Sequence, residues 1–233
     1  MGYLVYFTIA RANTFVNSPY NQRQDAFAQR VVRGDITDRN GNVLATTNVA
    51  EDGTETRNYP YGSLFSHVIG YSDSELGKTG LESVENFELL TSNAFFLEKI
   101  QNEFNGSKNQ GDTVVTTLDA DLQQAAYNAL GDYKGAVVVM EADTGKILAM
   151  VSKPDFDPNT LSENWSYLNS DEENSPLLNR ATSGSYAPGS VFKIVTTLAY
   201  MRQNPNYQSY TYDCGGFINV DNVRINCFDQ TVH

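Results

Sequence analysis

Ser190 and Lys193 are the residues of this sequence whose types and spacing best suit catalysis. Pro188 and Gly189 interrupt the backbone just before the serine, and apolar residues then recur at helical spacing through residue 201, which predicts a helix that begins near Ser190. Residues three apart lie on one face of a helix, so the lysine would lie beside the serine. A serine hydroxyl is a poor nucleophile until a neighbouring base removes its proton. The pair therefore indicates a serine nucleophile with a lysine general base.

Lys193 can act as that base only if its pKa falls far below the ordinary value of about 10.4. Burial on an otherwise apolar helix can lower it by several units, at about 1.4 kcal/mol each, whereas the helix dipole contributes about 1 kcal/mol. We therefore expect Lys193 to be desolvated in an intact domain. A capping serine with a surface lysine is the alternative. The Pro-Gly pair, the apolar helix and the absence of any other Ser-x-x-Lys in the sequence favour the catalytic interpretation.

Composition excludes several classes of partner and site. The chain has 16 basic and 28 acidic residues and a net charge of −12, which argues against nucleic acid and anionic lipid as partners. The 2 cysteines and 2 histidines include no Cys-x-x-Cys motif, which argues against a zinc site, and we expect no cofactor. Cys214 and Cys227 are either unpaired thiols in a loop or a disulfide, and the disulfide is favoured if the domain lies outside the cytosol.

Residues 1–10 are almost wholly apolar and are followed by Arg11. A membrane-spanning helix needs about 20 such residues, and the run lacks the basic start and the cleavage site of a complete signal peptide. We interpret it as the outer end of a membrane anchor whose beginning is missing. The alternative is an apolar N-terminal strand or a buried helix.

The first part of the chain is predicted to be rich in strands. Asn40-Gly41 is a strong hairpin signal between apolar residues on either side. Residues 59–73 alternate enough to predict a further strand pair, and a glycine turn then leads into a helix from Leu81 to about Leu90. The polar, glycine-containing segment 105–111 predicts a domain boundary.

After this boundary, a strand at 113–117 and a helix are predicted, with Asp119 as the N-cap and Gly131 as the end. The expected buried stripe of this helix consists of Leu122, Ala125, Ala126, Ala129 and Leu130. A second hairpin is predicted between 136–141 and 146–152, and its apolar runs favour a central, covered strand pair. Residues 155–179 are polar and predict a loop, with the acidic cluster 171–173 as a solvated face.

Five motifs in order resemble the class B penicillin-binding proteins, the monofunctional transpeptidases of bacterial cell-wall synthesis. They are RGDITDRNGNVLA (33–45), GKTGLE (77–82), TTLDADLQ (116–123), GAVVVMEADTGKILAMVSKPDFDPN (135–159) and PGSVFK (188–193). The resemblance implies an α+β fold: a small strand-rich pedestal domain followed by the first part of a penicillin-binding, serine β-lactamase-like transpeptidase domain, with an antiparallel sheet flanked by helices. It divides the chain into the anchor (1–10), the pedestal (11–111) and an incomplete transpeptidase domain (112–233).

The resemblance also implies the reaction and its setting. Ser190 would be the acylated nucleophile and Lys193 its general base, acting on peptidoglycan stem peptides, and β-lactams would acylate the same serine. The protein would be held in the cell membrane by a single-pass anchor, with its domains on the extracytoplasmic side. Its partner would be a multi-spanning glycan polymerase.

One departure from the family limits the expected activity of these residues alone. The family also needs a Ser-x-Asn and then a Lys-Thr/Ser-Gly after the Ser-x-x-Lys, and neither follows Lys193. The matching letters at 78–80 and 162–164 precede the nucleophile. We therefore expect a fragment that is inactive alone. A D,D-carboxypeptidase, a β-lactam-sensing or β-lactam-hydrolysing relative, and a non-catalytic binding module stay open as alternatives.

Overall fold

The computed structural model describes residues 6, 30–93, 100, 102 and 106–227. Apart from Tyr6, the predicted anchor at 1–10 lies outside these residues. Contacts between Cα atoms divide the chain into two units, 1–185 and 186–233. Both units contain strands and helices, so the predicted α+β class is confirmed.

Ten short strands are described in the first unit. They are β1 (Val31–Val32), β2 (Ile36–Thr37), β3 (Val43–Val49), β4 (Glu55–Asn58), β5 (Ser72–Asp73), β6 (Gly77–Lys78), β7 (Asn109–Gln110), β8 (Val114–Val115), β9 (Gly135–Met140) and β10 (Ile147–Lys153). Its α-helices are α1 (Ser66–Ile69), α2 (Gly80–Val84), α3 (Asn86–Leu89), α4 (Ala120–Leu130), α5 (Leu161–Ser170) and α6 (Arg180–Ser183). Two 3₁₀ helices, Gly62–Phe65 and Pro158–Thr160, precede α1 and α5.

A four-stranded sheet in the order β4-β3-β2-β8 forms the centre of the first unit. Strand β2 pairs antiparallel with β3 and parallel with β8, so that Ile36 faces both Ala45 and Val114. The hairpin predicted at Asn40-Gly41 is confirmed, and Gly41 takes the positive φ of +86° that this turn requires. Ile36 is fully buried in the core that this sheet shares with α1, α3 and the start of α4.

The strand pair predicted at 59–73 is wrong for most of its length, because the segment forms the 3₁₀ helix and α1. Leu64, Phe65 and Ile69 are all buried in the main core. Phe65 and Ile69 are four residues apart, about one helical turn, whereas in a strand the neighbours Leu64 and Phe65 would point to opposite faces. Only the end of the segment is extended, where β5 pairs with β6.

The helix predicted at 81–90 is confirmed as two short helices, α2 and α3, with a break at Glu85, which leaves helical geometry. The start of α2 lies directly against the end of α1. A Cβ on Gly80, which has φ +55°, would come within 2.7 Å of the Ile69 carbonyl carbon. This close approach requires glycine in the GKTGLE motif.

Helix α4 has the predicted ends but a different buried face. The Asp119 carboxylate accepts the Leu122 N–H at 3.1 Å, and Gly131 follows the last turn with φ +56°. Gln123 and Ala126 are buried, whereas Ala125 and Ala129 are exposed. The reason is that the helix packs on β10 through residues at i, i+4 and i+8, which are Leu122, Ala126 and Leu130, and this direction turns the two other alanines toward solvent.

The second predicted hairpin is confirmed as β9 and β10, with Ser152 opposite Ala136. It is not covered on both faces by the described residues. Helix α4 packs on Val137, Val139 and Val151, while Val138 and Met140 remain 43% and 57% exposed. Strand alternation separates the two sets.

The loop predicted at 155–179 is wrong, since it contains α5. Leu161, Trp165 and Leu168 lie at i, i+4 and i+7 and pack with Tyr71 and Phe156 in a second hydrophobic cluster. The acidic cluster follows this helix in a turn, where Glu172 and Glu173 are exposed as predicted.

The described residues of the second unit, 186–227, form one long helix and one hairpin. A 3₁₀ helix (Gly189–Val191) leads into α7 (Phe192–Gln203), and a further 3₁₀ helix covers Tyr207–Ser209. Strands β11 (Phe217–Val220) and β12 (Val223–Asn226) pair antiparallel, with Phe217 opposite Asn226. Asp221 and Asn222 both have positive φ, as a two-residue hairpin turn of this kind requires.

Candidate active site

The backbone around Ser190 has the predicted form. Gly189 takes φ +52°, and the Val191 N–H donates to the Pro188 carbonyl at 3.2 Å. Ser190 therefore lies in a 3₁₀ turn that continues directly into α7. The positive end of the dipole of this helix favours negative charge near the serine. The prediction of a helix that begins at Ser190 is confirmed.

Ser190 and Lys193 are separated by one turn, and both are exposed in the part of the chain that the structure describes. The apolar residues of the same helix are exposed too, with Val191 at 71% and Ile194 at 64%. Lys193 is therefore not desolvated in the part of the chain that the structure describes. Its desolvation in an intact domain stays a prediction.

Cys214 and Cys227 flank the β11–β12 hairpin, and their sulfur atoms lie 3.1 Å apart. The Cys227 N–H donates to the Gly216 carbonyl at 2.9 Å, which closes the base of the hairpin. The hydrogen bond with Cys214 raises the pKa of the Cys227 thiol, and the positive charge of Lys193 opposes this shift.

The two sequence matches that precede Ser190 have local structural roles in the first unit. Ser162 is the second residue of α5 and donates its hydroxyl hydrogen to Asp73 Oδ2 at 2.8 Å. Asn164 donates to the Thr160 carbonyl at 3.0 Å. Lys78 lies in β6, and Gly80 begins α2. These contacts explain both matches without catalysis.

The RGDITDRNG and GKTGLE motifs build a buried ionic cluster in the first unit. Glu82 is fully buried and accepts from Arg33 Nε at 2.6 Å and from Arg57 Nε at 2.7 Å. Arg33 also bonds the Asn86 side chain. The hydroxyl of Tyr59 donates to the same carboxylate at 3.3 Å. Burial lowers the pKa of Arg33, the neighbouring Arg57 adds to this, and Glu82 opposes it.

Two further buried polar side chains connect elements of the first unit, and sequence reasoning missed both. Asp38 accepts from the backbone of Asn40 and Asn42 and from the Ala120 N–H at 3.1 Å, so it orders the hairpin turn and the start of α4 together. Gln123 donates to the carbonyls of Leu64 and Met150 and accepts the Met150 N–H, each at 2.8 Å. The only sequence signal for the buried roles of Asp38 and Gln123 was that each is a polar residue within an otherwise apolar pattern.

Among the described residues, no group of three or more His, Cys, Asp or Glu side chains is arranged to hold a metal ion. Within the same residues, no helix combines the length and hydrophobicity needed to cross a bilayer.

Two family models match the chain. The model described as penicillin binding protein A dimerisation domain matches residues 33–114. The model described as penicillin binding protein transpeptidase domain matches residues 135–233 and so includes Ser190 and Lys193. The two matches occur in the order in which the sequence motifs occur.

Curated proteins and solved structures agree with these matches. The chain is 37% identical to the peptidoglycan D,D-transpeptidase PbpA of Mycolicibacterium smegmatis, over 82% of this chain and 42% of that protein. It is 35% identical to the peptidoglycan D,D-transpeptidase MrdA of Acinetobacter baumannii, over 59% and 25%. The chain thus spans less than half the length of these relatives.

Among solved structures, the imipenem acyl-enzyme complex of penicillin-binding protein A from M. tuberculosis matches with a TM-score of 0.73 at 32% identity. The match covers 86% of this chain and 49% of that one. Ordered pedestal motifs, a Ser-x-x-Lys at a helix start, two family models and relatives of one kind all agree, and on these grounds the chain belongs to the class B penicillin-binding proteins.

Proposed function

We propose that this protein is a peptidoglycan D,D-transpeptidase that forms an acyl-enzyme on Ser190 and is acylated there by β-lactams. The observation that carries the proposal is the Ser-x-x-Lys pair at the start of α7, within the stretch that matches the transpeptidase model. The names of the curated relatives support the reaction. The imipenem and penicillin G acyl-enzyme complexes of the M. tuberculosis relative support the reaction with β-lactams.

In the proposed reaction, the Ser190 hydroxyl attacks the carbonyl of the penultimate D-alanine of a stem peptide while the neutral Lys193 amine takes its proton. The bond to the terminal D-alanine then breaks, and Lys193 returns the proton to the leaving amine. An amine of a neighbouring stem peptide attacks the resulting ester. As the new amide forms, the amine loses a proton and Ser190 regains one. A β-lactam would acylate Ser190 in the same way, but its ring would open without losing a leaving group.

The proposal assigns residues 1–10 to the outer end of a membrane anchor, 11–111 to a non-catalytic pedestal and 112–233 to the transpeptidase domain. The order of the two family matches supports this division. Family resemblance supports a single-pass protein of the cell membrane, with extracytoplasmic domains and a multi-spanning glycan polymerase as partner.

The test uses the full natural chain that contains this sequence and a fluorescent penicillin. We expect Ser190→Ala to abolish covalent labelling and Lys193→Ala to slow it by about 10²- to 10⁴-fold, the usual contribution of a general base. Ser183→Ala, a substitution of an exposed serine in α6, is the matched control and should label normally. Absence of labelling in the wild type would refute the proposal and favour a non-catalytic binding module.

A synthetic stem peptide with an acceptor amine separates transpeptidation from carboxypeptidation. Mass spectrometry should detect a cross-linked product, whereas a carboxypeptidase would yield only the hydrolysed peptide. The 233-residue chain alone is expected to remain unlabelled, because no Ser-x-Asn or Lys-Thr/Ser-Gly follows Lys193. Stable labelling of that chain would show that the missing motifs are dispensable.

The proposed extracytoplasmic location also predicts the redox state of Cys214 and Cys227. Outside the cytosol, we propose that a disulfide oxidant accepts two electrons from these thiols, which lose their two protons as the bond forms. Their contact across the base of the hairpin supports this pairing. Mass spectrometry of an unreduced digest should then find the peptides that contain Cys214 and Cys227 joined, and Cys214→Ser should leave Cys227 as a free thiol. Two free thiols in protein isolated from its own compartment would overturn the pairing.

A further inference from the structure

The second unit contains a concavity that the proposed chemistry at Ser190 does not use. It has a volume of about 490 Å³ and lies between the end of α7 and the segment that follows it. Its lining is formed by residues between 200 and 211 and contains tyrosine, proline, amide and hydroxyl side chains but no Asp, Glu, Lys or Arg. The lining therefore offers no charged side chain that could pair with a charged ligand.

Two tyrosine rings, together with Pro205, form the apolar part of this concavity. Tyr200 and Tyr210 meet edge to face, with ring centroids 5.4 Å apart and an interplanar angle of 63°. They remain 40% and 60% exposed. Tyrosine offers a flat apolar face with a polar tip and loses little conformational entropy when a ligand covers it. Two such faces suit a ligand with rings that have apolar C–H groups on their faces and polar groups around their edges, as in a pyranose.

Amide groups supply the polar part of the lining, and local bonds hold part of it in place. Asn204 ends α7, where both its backbone N–H and its side-chain amide donate to the Tyr200 carbonyl at 2.9 Å. Ser209 donates to the Asn206 carbonyl at 2.8 Å. Gln203 and Asn206 are exposed, and within the described residues their side chains form no hydrogen bond. Each can therefore offer an amide donor and an amide acceptor to a ligand.

We propose that this concavity binds the glycan part of the substrate, as a short run of uncharged N-acetylated amino sugars. The inference rests on the proposed function, because peptidoglycan consists of peptides attached to chains of such sugars. The acetamido groups match the side-chain amides of Gln203 and Asn206, and the sugar rings match the faces of Tyr200 and Tyr210.

The experiment measures binding of the N-acetylglucosamine trimer to the full natural chain by isothermal calorimetry or saturation-transfer NMR. We expect binding of the trimer, and about fivefold weaker binding by Tyr210→Ala, because a stacked ring is removed. Tyr210→Phe keeps the ring and should bind nearly as well as the wild type. Tyr133→Ala, which removes a tyrosine that is 78% exposed in the first unit, is the matched surface control and should not change the affinity. Maltotriose, which lacks acetamido groups, should bind more weakly than the amino-sugar trimer.

Labelling by fluorescent penicillin in the same preparations keeps the two proposals separate. If the wild type is labelled at Ser190 but does not bind the trimer, or if Tyr210→Ala binds it equally well, the saccharide site is overturned and the proposed function stands. Binding of a neutral, asparagine-rich peptide instead of the trimer would also overturn it. Trimer binding that depends on Tyr210 without penicillin labelling would refute the proposed function alone.

Discussion

Motif residues lie in opposite environments in the two units. In the first unit, Glu82 is fully buried, and both of its carboxylate oxygens accept from arginines. In the second unit, Ser190 and Lys193 are exposed on a helix whose apolar residues are exposed as well. Both sets belong to strong sequence motifs. The partners of Glu82 lie among the described residues of the first unit. No described residue of the second unit buries Ser190 or Lys193.

The difference separates motifs that build structure from a motif that we propose performs chemistry. A buried carboxylate between two buried arginines is stable only when all three charges are present. The first unit supplies all three, from positions 33, 57 and 82. A lysine base needs burial without a neutralising partner, and the exposed environment of Lys193 does not provide it. Four predictions test this contrast, and they are given from the largest expected effect to the smallest.

Glu82→Ala should have the largest effect on stability. It leaves Arg33 and Arg57 as uncompensated buried charges, so we expect the free energy of unfolding to fall by about 3–5 kcal/mol. Urea unfolding followed by Trp165 fluorescence measures this, because the chain has a single tryptophan and it lies in the first unit. Glu88→Ala, on the exposed side of α3, is the control. A loss below about 1 kcal/mol for Glu82→Ala would mean that the cluster does not stabilise the unit.

Gln123→Leu should have the next largest effect. Leucine has nearly the volume of glutamine but leaves the Leu64 carbonyl and both backbone groups of Met150 without their present partner. At about 1–3 kcal/mol for each buried unsatisfied group, partly relieved by water, we expect a loss of about 3 kcal/mol. Gln124→Leu, at the exposed neighbouring position, should change the unfolding free energy by less than about 0.5 kcal/mol. Equal effects at both positions would contradict the structural role of Gln123.

Local signals predicted the elements that local chemistry controls. Asn40-Gly41 fixed a hairpin, while Asp119 and Gly131 fixed both ends of α4, because turns and caps depend on neighbouring residues. The Pro188-Gly189 pair and the spacing that follows predicted the helix at Ser190 in the same way. Polarity alone was misleading at 155–179, since Leu161, Trp165 and Leu168 had the helical spacing that should have decided the matter.

Local sequence signals did not predict which residues contact each other between distant parts of the chain. Glu82 contacts Arg33, which is 49 residues away in sequence, and neither motif by itself shows that it needs the other. The alternating apolar residues at 59–73 are compatible with strands. The sequence pattern did not show that part of this segment packs as α1 against the main core. The exposure of Lys193 also depends on which residues pack over α7. The spacing of apolar residues along the sequence does not show this. The sequence therefore predicted the helix that carries Ser190 and Lys193, but it did not predict the tertiary partners that bury Glu82.

Lowering the pH should weaken the first unit through His67. Burial lowers the pKa of His67, and Arg180 adds to this, while the bond to the Pro154 carbonyl and the charge of Asp155 oppose it. The unfolded chain therefore binds the proton first, and stability falls as the pH drops below the ordinary histidine pKa of about 6.5. We expect the urea midpoint, followed by Trp165 fluorescence, to fall between pH 7.5 and pH 5.5. His67→Gln, which keeps a side-chain donor, should flatten this dependence, and an unchanged slope would contradict the assignment.

The smallest expected effect sharpens the contrast between the units most directly. Ser190→Ala and Lys193→Ala should each change the unfolding free energy of the 233-residue chain by less than about 0.5 kcal/mol, as is usual for exposed positions. Neither the 3₁₀ turn nor α7 has a side-chain cap, so the serine hydroxyl does not hold the start of the helix. Far-UV circular dichroism during thermal unfolding would detect a loss in either unit. A loss of about 2 kcal/mol or more would show that these side chains stabilise the fold, and the separation between structural and chemical motifs would fail. If stability is unchanged while labelling of the full chain is lost, the same two side chains are dispensable for folding and required for acylation.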